Sequence, residues 1–357
     1  MTLPTVTAAE VRRDLILRRE LALLDLREEG PFSQGHPLFA ASLPLSRLEL
    51  DVLDRIPRRD APIVLYDAGD GRVEVAAGRL AALGYTNLRA LAGGLDGWRA
   101  AGYELFGNVN SYSKAFGELV ESRRHTPSLT PPEVKSIIDS GESYVILDSR
   151  RTEEYEVMSI PSGVSVPGAE LVLRAQTMAP DPSTRIIVNC AGRTRSLIGA
   201  QSLINAGLPN PVVALRNGTI GWTLAGLELE HGQTRRFPDV PPERLEEAQA
   251  RSQSVAYRAG VRRIDVETLR VLIEDTGRTL YRFDVRTPAE YVAGHIAGFV
   301  NAPGGQLVQE TDVAAPVRGA RIVLADDLVV RADMTASWLA QMGWEVYVIE
   351  DGFAGDL

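Results

Sequence analysis

One stretch of this chain has the residue types of a reactive centre. The only cysteine, Cys190, closes the apolar run Ile186-Ile-Val-Asn-Cys190 and is followed by Ala191, Gly192, Arg193, Thr194, Arg195 and Ser196. The run has the length and branching of a short strand buried on both faces, and a helix is predicted from Ser196 to Ala206. A loop between a strand end and a helix N-terminus turns several backbone N–H groups inward and forms a cradle for an anion. The same helix dipole, with Arg193 and Arg195 close in sequence, favours a thiolate over a thiol. Gly192 gives the loop conformations that other residues resist, and a guanidinium can hold an oxyanion through paired charge-assisted hydrogen bonds. Cys190 is therefore the expected nucleophile, and Ala191 to Ser196 the expected substrate-binding loop. An inert buried thiol is the competing explanation. It fits poorly, because a core would want apolar residues where this loop is polar and basic.

The rest of the composition narrows the chemistry. A single cysteine excludes an internal disulfide and a multi-cysteine metal site, and neither a metal nor an organic cofactor is implied. With 47 acidic against 38 basic residues the formal charge is −9. No basic stripe interrupts that balance, which argues against nucleic acid as a partner, although one local pocket can still attract a small anion. Hydrophobic residues make up 45% and charged residues 24% of the 357, an ordinary globular composition of a length that suggests two or three domains. Residues Met1 to Glu10 do not read as a signal peptide, and no apolar run approaches a membrane span. A reducing cytoplasm without a membrane partner is the expected location.

Three segments read alike: Leu23-Leu-Asp25-Leu-Arg27, Ile146-Leu-Asp148-Ser-Arg150 and Arg282-Phe-Asp284-Val-Arg286. Each is a short apolar strand ending in Asp-x-Arg. A second set follows, Pro62 to Asp67, Ile186 to Cys190 and Arg321 to Asp326, and its last residues lie 42 positions after Asp25, Asp148 and Asp284 respectively. Helices are predicted next over Val73–Leu83, Ser196–Ala206 and Asp333–Met342, each stopping at a glycine (Gly84, Gly207, Gly343). A further short strand and a Gly-rich turn complete each unit, with Trp98 and Trp222 expected in the core. Strand, crossover helix and strand repeated in this way predict an α/β fold: tandem domains, each a parallel sheet flanked by helices on both faces. The copies are placed at 1–107, 108–250 and 251–357. Helices joining them are expected near Ser113–Glu121 and, as a solvated linker, Glu243–Arg251. The third copy stops soon after its Gly352-Phe353 turn, as in a truncated repeat.

This pattern resembles the rhodanese (thiosulfate:cyanide sulfurtransferase) family. Copy three carries its middle element as Glu290-Tyr291…Gly294-His295-Ile296…Pro303. Copy two carries Glu154-Tyr155 with Met158-Ser159 in place of Gly-His, and copy one keeps Gly35-His36-Pro37. The resemblance implies that Cys190 accepts sulfur from thiosulfate or a persulfide donor and passes it to cyanide, glutathione or a protein thiol. It also implies that copies one and three, with Asp67 and Asp326 at the cysteine position, are silent. Because all three copies keep Asp-x-Arg, Asp148 and Arg150 are expected to support the fold, and His295 to be structural. His125 and His231 are expected at the surface. Two alternatives stand beside this reading. One is a scaffold of silent modules that binds partner proteins, with Cys190 as a redox sensor. The other is a phosphatase or arsenate reductase, whose Cys-x5-Arg loop is one residue longer than the Cys-x4-Arg found here.

Overall fold

A computed structural model describes residues 3–350 and 352–353. Met1, Thr2, Asp351 and 354–357 lie outside it, so the expectations about the chain's first residues and its end at Leu357 fall partly or wholly outside the described residues. Each copy forms a sheet around the strand that carries its Asp-x-Arg. In copy two the order is Ser128–Leu129, Val212–Leu215, Arg185–Asn189, Tyr144–Asp148 and Val164–Ser165, every pair parallel. Copy three repeats it with Arg262–Ile264, Glu345–Ile349, Arg321–Ala325, Leu280–Asp284 and Val300–Asn301. The central strands are largely buried because helices cover both faces, which is why their sequences are apolar without alternation. Local signals start each first helix: Thr7 and Thr130 form capping boxes with Glu10 and Glu133, and Asp265 caps the third. The crossover helices run Arg72–Ala82, Thr194–Asn205 and Val330–Gln341, starting up to three residues earlier than expected.

Copy one departs from a purely parallel sheet. Its strands Thr5–Val6, Leu88–Leu91, Ile63–Tyr66 and Leu21–Asp25 are parallel, with Ala41–Ser42 beside the last. A sixth strand, Val317–Arg318, comes from copy three and pairs antiparallel, Val317 with Ala22 and Arg318 with Leu21. The apolar interior is continuous across the same junction, joining Leu24, Leu65 and Leu80 to Ile322, Leu324 and Trp338. Copies one and three therefore share a core although copy two separates them in sequence.

Both linkers are built into this body. The first runs over Ser111–Arg124 and touches copy three, where Ser113 Oγ donates to Gln309 O at 2.7 Å and Phe116 meets Trp338 edge-on. The second runs over Pro242–Arg258, and residue 250 lies inside it. The expectation of a solvated linker is corrected here. Ala248, Ser252, Val255 and Ala256 form one buried stripe, spaced as a helix face requires. Ser252 Oγ donates to the buried Asp333 at 3.0 Å. Small residues on that stripe let the helix lie close to copy three, while the charged residues that suggested solvation occupy the other face.

Candidate functional site

Cys190 stands where its strand gives way to the helix Thr194–Asn205, and only 2% of it is exposed. Its Sγ lies 3.4 Å from Ser196 Oγ, which itself donates to Arg193 O at 2.9 Å. The Gly-rich turn grips the loop from behind: Thr219 N–H donates to Cys190 O at 2.9 Å and Ile220 N–H to Ala191 O at 3.0 Å. Gly218 makes that approach possible. Its φ is +53°, and a Cβ there would come within 2.1 Å of Cys190 O.

The two arginines of the loop go to different places. Arg195 is largely buried and pairs with both oxygens of Glu154, at 2.6 and 2.8 Å. Burial alone would raise the Glu154 carboxyl, but the hydrogen bonds and charge of Arg195 outweigh it and hold the group at about 2. Burial likewise works against the Arg195 cation, and Glu154 together with the nearby Cys190 sulfur reverses that effect, so its pKa is raised. Arg193 turns outward instead. Its guanidinium pairs with Glu121 and, at 3.4 Å, with Glu118, both on the first linker helix. Gly117 of that helix sits so close that a Cβ would come within 2.9 Å of the Thr194 methyl. Gly192 has open space around it.

Asp148 lies under the loop through Asn189, whose Nδ2 donates to Asp148 Oδ2 at 2.8 Å. Arg150 grips the same carboxylate at 2.8 and 2.7 Å and donates to Met158 O at 2.6 Å. Arg27 and Arg286 repeat this brace on Asp25 and Asp284, with their further bonds to Gly35 O and Gly294 O. Met158 thus supplies the carbonyl that a glycine supplies elsewhere. The cost of losing Gly-His falls on the next residue: His36 and His295 hydrogen-bond through Nδ1 to Phe32 O and Tyr291 O, whereas the buried Ser159 hydroxyl has no partner. Trp98 and Trp222 are core residues whose ring N–H groups donate to Glu104 O and Glu228 O. His125 and His231 are exposed, and His231 meets only Val157 O.

The copies without cysteine hold a carboxylate at the corresponding loop position. Asp67 accepts N–H bonds from Gly69 at 2.8 Å and Val73 at 3.2 Å. Asp326 accepts from Leu328, Arg331 and Ala332 at 3.3, 2.8 and 3.3 Å. In both, a negatively charged oxygen fills the cradle at the position that Cys190 holds in copy two. Arg331, the counterpart of Arg195, is completely buried and pairs with Asp326, Asp327, Glu290 and, across the copies, Glu170. Reasoning from sequence missed Glu154 and Glu170 as partners. Glu154 to Arg195 and Glu290 to Arg331 are both 41 residues apart, an equality that could have revealed the first. A cleft of about 440 Å³ opens beside the site between copies two and three, lined among others by Ser149, Arg151, Thr152, Arg236, Thr287 and Gln306.

Fold and site together define an α/β protein of three related sheets, one of which carries a thiol at the loop position that holds a carboxylate in the other two. A family model described as "Rhodanese-like domain" matches residues 7–101, 130–225 and 265–355, and the chain belongs to that family. It is similar to a solved structure described as a thiosulfate sulfurtransferase from Pseudomonas aeruginosa, with 62% identity and a TM-score of 0.97. That likeness covers 98% of this chain, which spans only 66% of the other's length. A curated relative, "Putative sulfur carrier protein YrkF" of Bacillus subtilis (strain 168), is 28% identical over 142 residues, 36% of this chain and 72% of its own.

Proposed function

We propose that this chain is a sulfurtransferase and that Cys190 carries the sulfur. One observation bears most of the weight. The loop position that holds an anionic carboxylate in copies one and three holds a thiol in copy two, so the anion that loop is suited to there is a sulfur anion on Cys190. The similarity to a thiosulfate sulfurtransferase points the same way. In the first half-reaction the Cys190 thiolate attacks the outer sulfur of thiosulfate. A bond forms between the two sulfurs, the bond to the sulfonate sulfur breaks, and sulfite leaves with the electron pair. In the second, cyanide, glutathione or a protein thiol attacks the outer sulfur of the Cys190 persulfide, and the thiolate is restored. The N–H groups at the start of helix Thr194–Asn205, which no side chain caps, stabilise the anion in both states. Ser196 Oγ lies beside the sulfur and, by donating to Arg193 O, helps hold the loop; Arg195 supplies positive charge, while Arg193 fastens the loop to the linker helix. Asp148 and Arg150 brace the strand end. Copies one and three are silent, the copy boundaries lie near residues 107 and 250, and the lone free thiol suits a reducing cytoplasm. Among the described residues no helix is long and apolar enough to cross a membrane.

The test is intact mass spectrometry after incubation with thiosulfate, beside Cys190→Ser. The expected result is a gain of one sulfur atom that cyanide removes and the variant never shows. A Cys190 that is freely alkylated yet gains no sulfur would overturn the reading.

A further inference from the structure

Copies two and three meet through matched segments, Pro167-Gly-Ala-Glu170-Leu-Val172 and Pro303-Gly-Gly-Gln306-Leu-Val308. The contact is close and nearly symmetric. A Cβ on Gly168 would lie 3.3 Å from Gly305 Cα, and one on Gly305 would lie 3.0 Å from Gly168 Cα. Each segment rests on the helix that follows the other copy's loop: Gly168–Glu170 against Val330–Gln341, and Gly304–Gln309 against Thr194–Asn205. On one side of this approximate twofold, the copy-two residue Glu170 reaches into the silent site of copy three, its Oε1 2.9 Å from Arg331 Nη1 with both groups buried. On the other side the equivalent position is Gln306. Gly304, Gly305 and Val308 line a cavity together with Thr194 and Arg195. Gly305 and Gln306 line the adjoining cleft together with Ser149.

We propose that Gln306 of copy three is a specificity-determining residue of the Cys190 site, its neutral side chain keeping the approach to Arg195 open to small anionic sulfur donors. This rests on the sulfurtransferase reading and names how that site selects its substrate class. The charge count around the two arginines separates them. Arg331 is surrounded by four carboxylates, one of them lent by the neighbouring copy. Arg195 has Glu154, and where the twofold would bring the counterpart of the lent Glu170 it brings the amide Gln306. A carboxylate at 306 would add a second negative charge to that of Glu154 beside Arg195 and repel a donor anion; the amide adds none.

The experiment compares alkylation of Cys190 by iodoacetate, an anion, with alkylation by neutral iodoacetamide, beside the KM for thiosulfate. In Gln306→Glu the ratio of iodoacetate to iodoacetamide rate should fall by about tenfold, the effect of a carboxylate standing to Arg195 as Glu170 stands to Arg331, and KM should rise similarly. Gln306→Ala should keep the ratio within about twofold, and Gln306→Lys should raise it, a change of sign that misfolding would not produce. An unchanged ratio in Gln306→Glu, or an equal fall in the alanine variant, would overturn the proposal. If the ratios move as expected while the wild-type protein takes no sulfur from thiosulfate, the charge selection stands and the sulfurtransferase reading fails.

Discussion

Glu154 is one ion pair away from the thiol, since its oxygens bind Arg195 and Arg195 lies within the field of Cys190. Its carboxyl is held at about 2, below the ordinary value near 4.3. A depressed folded value means the pair stabilises fully above about pH 4.3 and that this contribution disappears as pH falls towards 2. Glu154→Gln should therefore melt below the wild type at pH 7, with the gap closing between about pH 4 and 2. Thermal melts at pH 7 and 2.5 check this, and a gap independent of pH would remove the charged pair from the account. Cys190 stood out in the sequence because a polar, basic loop contradicts a buried strand end, and the structure places it where that loop begins. Its partners did not stand out, because Glu154 lies 41 residues away and only the fold brings it back. The copies supplied the missing clue, through Glu290 and Arg331.

Helices that looked like connectors turn out to hold the site. The first linker fastens the Cys190 loop at two points, by Arg193 with Glu121 and Glu118 and by the bare face of Gly117 against Thr194. Gly117→Val should push that helix away from the loop, costing about 1–3 kcal/mol in stability as an overpacked contact and slowing sulfur transfer by at least about tenfold through misplaced loop groups. Kinetics and melting of the variant read both, and full activity in a destabilised protein would show that the loop holds its shape alone. The sequence placed the first linker helix to within three residues at each end but stopped the second at Arg251, short of its end at Arg258. The charged run also hid the burial of Pro242–Arg258, whose buried stripe of Ala248, Ser252, Val255 and Ala256 is mostly of residues too small or polar to stand out as an apolar face. The strand Val317–Arg318 was invisible for a related reason: pairing at a sheet edge uses backbone groups that every residue possesses, and two residues leave no pattern.

At the scale of the whole molecule, the copies without cysteine serve as architecture. Arg331 joins copies two and three through Glu170 at the centre of a buried cluster of charge. Arg331→Met should cost about 3–5 kcal/mol, because the acids around it would be left uncompensated in the interior. The midpoint of chemical denaturation measures this, and a neutral effect would mean that the acids take up protons at no cost. The repeat of 42 residues made the three copies plain in sequence, yet tandem order says nothing of who touches whom. Copy three lends copy one an edge strand and about half of a shared interior, while copy two lies between them in sequence. In genetic terms the module that can be exchanged intact is then neither copy one nor copy three. A recombination that imported either alone would leave an open sheet edge and half a core behind, so these two copies are bound to be inherited, and to diverge, as a pair.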